Sequence, residues 1–163
     1  MDSDVTQFES ADRALVIISD AEIHGSTRLQ KYGFLLSKQY KKELSNLASN
    51  CPGLKFYDDW EPLWYGPFSR SLQKDVETCV SGGLISETLA DPGLGSYRYA
   101  PTLKGRVRWR KILDASGKEI RDIHEKVSNL QSMRLERLLE EIYHAYPEYT
   151  KHSTIKDRFS QNS

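Results

Sequence analysis

Apolar residues fall along this chain in blocks of helical spacing, separated by turn-forming stretches. Ala14 to Ile18 make a compact apolar block within ADRALVIISDAEI, residues 11 to 23. That block predicts a short buried helix, a strand being the other reading of so short a run. In GSTRLQKYGFLLSKQYKKELSNL, Leu29, Tyr32, Leu35 and Leu36 recur at helical spacing, and Thr27 with Gln30 three residues later has the form of a capping box. The segment NCPGLKFYDDWEPLWYGPF then breaks the rhythm with three prolines and two glycines. It reads as a loop with a short extended piece around Lys55 to Tyr57, held to the core by Phe56, Trp60, Trp64 and Tyr65.

Residues 64 to 85, WYGPFSRSLQKDVETCVSGGLI, restore the helical period. Leu72, Val76, Cys79 and Val80 form one apolar face, and Arg70, Ser71, Gln73, Lys74 and Glu77 lie opposite. Pro67 suits a first helical turn, or alternatively Ser69 an N-cap, and Gly82-Gly83 suits a stop. LISETLA and SYRYAPT follow as extended runs around the turn sequence DPGLG, so the order is helix, strand, turn, strand. Farther on, Ile120, Ile123, Val127 and Leu130 make a narrow stripe of coiled-coil type. Asp114 to Gly117 is a potential break before it. After Ser132, an expected N-cap, Leu135, Leu138, Leu139, Ile142 and Tyr143 form a broader face that Pro147 ends. Residues 1 to 10 and 151 to 163 are polar, lack periodicity and are expected to be flexible tails.

Composition narrows the class. The 163 residues fit one domain, and 38% hydrophobic with 28% charged residues describes an ordinary soluble chain. No apolar run approaches the roughly 20 residues of a membrane-spanning helix, and the acidic opening lacks a signal-peptide pattern. The expectation is a cytoplasmic protein with no membrane association. Cys51 and Cys79 are too few for a disulfide framework, and Cys79 belongs to the apolar face. Lys plus Arg and Asp plus Glu balance at 23 each, so any affinity for nucleic acid must be local.

The ordered set Gly66, Ser69, Leu72, Val76, Gly83-Leu84-Ile85, Arg98, Tyr99, Thr102 and Gly105 resembles the recognition helix and wing of PadR- and MarR-like winged-helix regulators. Pro101 departs from that pattern where a leucine is usual, which puts the end of the last strand in question. STRLQKYGFLL together with WYGPFSRSLQKDVETCVSGGLI is similar to archaeal winged-helix proteins, and YGPFS resembles the Panacea antitoxin domain. The resemblance implies an α+β, mainly α fold: a winged helix-turn-helix over residues 11 to 106 with a two-stranded wing. Extra C-terminal helices over 107 to 150 would form a dimerisation region.

That fold sets out a DNA-binding surface. A major groove about 12 Å wide admits one helix whose early residues meet base edges. Arg70 can pair with guanine and Gln73 with adenine, while Ser71 or Lys74 suits phosphate, Ser69 is a further DNA-binding candidate, and the helix N-terminus favours an anion. LKGRVRWRK adds Lys104, Arg106 and Arg110 along one stretch, and Arg98 is the single wing cation. The plain alternative is a solvated helix face, since Asp75 and Glu77 follow at once. Ile120, Ile123, Val127, Leu130, Leu135, Leu138 and Ile142 are the expected homodimer seam, with packing inside one chain as the alternative. The reading is therefore a dimeric transcriptional regulator of double-stranded DNA.

The remaining chemistry is thin. Glu141 and His144 have the Glu-x-x-His spacing of di-iron helices, but only one copy is present. His24, His124 and His152 lack partners at metal-ligand spacing, PGLGS lacks the lysine of a phosphate loop, and no nucleophile elbow occurs. No enzyme activity, metal or cofactor is expected. A second class of function is a protein-interaction module, antitoxin-like, with Trp60, Trp64, Tyr65 and Phe68 as its contact.

Overall fold

The computed structural model describes residues 8–50, 55–63, 66–91, 93 and 96–149. Helices dominate: α1 (Asp12–Ile18), α2 (Ser26–Gln39), α3 (Lys41–Asn50), α4 (Arg70–Ser81), α5 (Leu103–Gln131) and α6 (Leu135–Ala145). The strands are β1 (Ile23–His24), β2 (Trp60–Leu63), β3 (Gly66–Ser69), β4 (Ile85–Asp91) and β5 (Ser96–Pro101). The protein is thus α+β and mainly helical. One antiparallel sheet runs in the order β1-β5-β4, and β2 with β3 makes a separate antiparallel pair.

The apolar block of Ala14 to Ile18 is a helix, and all five of its residues are buried. The expected long second helix is two, because Tyr40 leaves helical geometry at φ −120° and ψ 36°. No capping box forms at its start: α2 begins at Ser26 behind Gly25, and Gln30 turns into the core instead. The extended segment is not Lys55 to Tyr57 but the hairpin of β2 and β3, so Pro67 sits in a strand and not in a helical turn. Pro101 closes β5 opposite Ile85, an end position where its missing N–H costs no interior rung. Ser132 caps the end of α5, while α6 starts behind Arg134 with no side-chain cap. Trp64, Tyr65 and most of the DPGLG turn lie outside the described residues, as do residues 1–7 and 150–163. Ser10, expected in a tail, is hydrogen-bonded to Arg13 and Asp75.

The helical assignment is unbroken across Asp114 to Gly117, yet α5 is sharply bent. Arg108 Nε donates to Asp12 at 3.0 Å, and Gln131 Nε2 donates to the Ile17 carbonyl at 2.8 Å. A straight helix would hold those two residues about 34 Å apart, whereas α1 is only about 10 Å long. Trp109 and His124 likewise bring their rings to 5.6 Å, about 22 Å apart along a straight helix axis. Ser116-Gly117, between the two contacts, is the kind of pair at which helices kink.

The bend returns the chain onto its own core. Ile120, Ile123, Val127 and Leu130 from the far half of α5, with Leu138 and Ile142 from α6, are between 0% and 3% exposed inside one chain. They join the same apolar cluster as α1 and α2. The expected dimer seam is therefore core, and Leu135 is half-buried against it. Among the described residues no helix is long and apolar enough to cross a membrane.

Candidate nucleic-acid interface

The site is built around α4, and its inner face fixes how the outer face is presented. Leu72, Val76 and Cys79 are buried at the spacing read from the sequence. Asp75 is buried beside them and is not a solvent-side acid. Its carboxylate is met by Arg13 Nη2 at 2.9 Å and accepts the Tyr57 hydroxyl at 2.6 Å. Burial first, and Asp75 second, push the Tyr57 phenol well above its ordinary pKa, so that it remains a donor. Burial also raises the Cys79 thiol to about 12, with Asp12 and Asp75 adding to it. Cys79 is thus an inert core residue.

Two of the residues expected to contact DNA are consumed by the fold. Ser69, 0% exposed, is the N-cap: its hydroxyl accepts the Leu72 N–H at 3.0 Å and donates to Asp59 Oδ1 at 2.5 Å. Ser71 donates both its N–H, at 3.0 Å, and its hydroxyl, at 2.8 Å, to the other oxygen of Asp59. Partial burial raises the Asp59 carboxyl, but the bonds from Ser69 and Ser71 outweigh it and hold the pKa below the usual value. This carboxylate already fills the anion position at the start of α4. Ser69 takes the N-cap role read from the sequence, and both Ser69 and Ser71 are corrected from DNA contacts to groups used in capping α4. Removing the cap by Ser69→Ala should cost about 1–2 kcal/mol, read from urea denaturation.

The outer face stays open. Arg70, Lys74, Glu77 and Thr78 are exposed, and Gln73 is half-exposed. Arg70 lies 3.6 Å from Glu61, but its side chain is 76% exposed, so the pair is weak and exchangeable. Gln73 reaches Glu77 at 3.4 Å.

The cations of α5 divide. Arg108 is paired with Asp12, which raises its pKa further, and Lys104 donates to the Gly82 carbonyl at 3.0 Å, closing the end of α4. Arg106, Arg110 and Lys111 are exposed, and Arg106 and Arg110 share one face. Arg98 is drawn to Glu22 at 3.5 Å on the flank of β5, which weakens it as a wing contact. Trp60 is buried, donating its indole N–H to the Tyr57 carbonyl and packing edge-on against Phe34 at 5.3 Å. It belongs to the core and not to a protein-contact group, and Phe68 is half-buried.

The residues missed from the sequence are those that hold the helix in place. Gln30, buried on α2, donates to the Ser69 carbonyl at 3.1 Å and accepts the Ser69 N–H at 2.8 Å, copying a strand rung with a side chain. Lys31, next to it, donates to the Pro67 carbonyl at 3.0 Å. The readable signal was two polar residues, Gln30 and Lys31, lodged inside the apolar span Leu29 to Leu36.

Fold and site together define an α+β, mainly helical chain that presents one amphipathic helix outward. A scan of protein-family models and searches of curated proteins and solved structures each return no match.

Proposed function

We propose that this protein binds duplex DNA with the outward face of α4, as a winged helix-turn-helix regulator. The observation that carries the reading is that α4 is locked on its inner side and, among the described residues, uncovered on its outer side. Arg70 and Gln73 are then the groove-reading residues, and Lys74, Arg106 and Arg110 are backbone contacts. The sheet order β1-β5-β4 supports it, since a helix leading into a two-stranded wing backed by a short third strand is what a winged helix requires. The reading does not need the apolar C-terminal seam, which the core uses.

The test is a gel-shift selection from random duplexes at two salt concentrations. The wild type should enrich a sequence and bind it less tightly at the higher salt. Arg70→Ala with Lys74→Ala should weaken that binding by roughly 10- to 100-fold and lower the salt slope by about one per lost phosphate contact. Equal, weak binding of every duplex by both proteins would end the proposal.

A protein-interaction role is favoured by a different surface. Leu103 is 80% and Val107 50% exposed, one turn apart on α5. Under that reading Leu103→Ser with Val107→Ser abolishes co-purification of a partner, and the α4 substitutions leave it intact.

A further inference from the structure

The hairpin of β2 and β3 leans on the first turns of α2 and leaves a cleft of about 200 Å³, lined by Ser26, Thr27, Gln30, Lys31, Leu63, Gly66 and Phe68. Its wall is largely apolar, and among the described residues one charged group belongs to it. Lys31 is 2% exposed, and among the described residues its ammonium has one acceptor, the Pro67 carbonyl at 3.0 Å. An ammonium carries three donors. Burying it with two of them unmet is costly, and a bound acceptor in the cleft would remove that cost. Gly66 keeps the floor open: with φ at +99°, its absent Cβ would lie 3.2 Å from Lys31 Cε. Ser26 and Thr27, on the uncapped first turn of α2, supply hydroxyls at the rim.

We propose that this cleft binds a small monocarboxylate with an apolar body, its carboxylate on the Lys31 ammonium and its hydrocarbon against Leu63 and Phe68. Both halves of that ligand follow from the described lining: one buried cation selects a single negative charge, and an apolar wall with no second cation among the described residues disfavours a dicarboxylate or a phosphate. The site is independent of the DNA reading, since it lies on the hairpin side of α2 and its test contains no DNA.

Proton linkage gives the site a signature. Burial alone lowers the Lys31 amine to about 7. Among the described residues, those around it are the backbone of β3, with the Pro67 carbonyl, and the Tyr143 ring of α6 beside Gly66, and no carboxylate contributes. A carboxylate selects the protonated amine, so binding takes up a proton above pH 7 and weakens by about tenfold per pH unit there.

The experiment titrates the full chain with straight-chain acids from acetate to octanoate at pH 6, 7 and 8, following heat and protection against melting. The matching primary alcohols serve as neutral controls. Affinity should rise with chain length to a limit set by the cleft and fall from pH 7 to pH 8, and the alcohols should not bind. Lys31→Met should lose at least tenfold in affinity for the acid. Thr27→Trp, which blocks the rim without touching the amine, should lose it as well and covers the outcome in which Lys31→Met does not fold. Acids that bind no better than alcohols, or binding indifferent to pH and to Thr27→Trp, would overturn the proposal.

Discussion

Gly105→Ala unfolds this protein or leaves it so unstable that no cooperative urea transition remains at 25 °C. The expectation reverses the ordinary rule, under which alanine for glycine inside a helix stabilises by about 1 kcal/mol. Gly105 lies in the first turn of α5, where its N–H is bonded to the N-cap Thr102 hydroxyl at 3.0 Å. A Cβ there would fall 1.9 Å from the Leu84 carbonyl oxygen and 2.9 Å from its carbon. Neither atom can retreat cheaply. The Leu84 carbonyl accepts the Thr102 N–H at 3.0 Å, and its own N–H is bonded to Cys79 at 2.8 Å, directly behind Gly83 at φ +75°. The crowded junction joins the end of α4, the start of β4 and the start of α5, so relief at one element displaces two others. A loss above about 4 kcal/mol is the expected size. A variant melting within a few degrees of the wild type would show that α5 does not approach Leu84 this closely.

The junction was legible in part. Gly83, Thr102 and Gly105 stand out in the sequence as punctuation around an extended pair, and the buried faces of α1 and α4 follow directly from their apolar spacing. Strands β4 and β5 are where the turn sequence between them put them. What periodicity could not supply was the destination of the C-terminal stripe: Ile120, Ile123, Val127 and Leu130 present the same spacing to a partner subunit or to their own chain. A bend near Ser116-Gly117 decides between the two, and a bend is a tertiary fact. Ser69 was legible as the N-cap of α4. Its second bond and the role of Ser71 were not, because the carboxylate they share, Asp59, comes from another segment, ten and twelve residues upstream.

Lys31 shows the same blindness in another form, and it carries a pH consequence. Its amine is lowered from 10.5 to about 7 by burial, so between those values the unfolded chain holds a proton that the folded chain has released. Stability therefore rises with pH from about 7 towards 10.5, on the order of a few kcal/mol in total. Lys31→Met should flatten that rise and be more stable than the wild type near pH 6, which urea transitions at pH 6, 8 and 9.5 would show. A helix-wheel reading assigns a lysine to solvent and cannot anticipate this sign.

Asp75→Ala should cost about 3–5 kcal/mol and, with it, the orientation of α4. Its carboxylate, 8% exposed, is among the described residues the one anion facing an Arg13 side chain that is only 16% exposed. Removing it strands a largely buried guanidinium and the Tyr57 hydroxyl together, and breaking one partner of such a pair is far more costly than replacing both. Arg13 keeps the Ser10 and Lys55 carbonyls, at 3.0 Å and 2.9 Å, but those carry no countercharge. The double variant Arg13→Met with Asp75→Leu should accordingly recover at least 1 kcal/mol relative to the sum of the single losses. Because the network ties α1 and the segment before β2 to the inner face of α4, the single variant should also lose the duplex binding proposed for that helix at temperatures where it remains folded. The double variant, with α4 seated again on an apolar contact, should regain it. Additive losses in the cycle would show that Asp75 and Arg13 are not coupled, and α4 would then owe its seat to Leu72, Val76 and Cys79 alone.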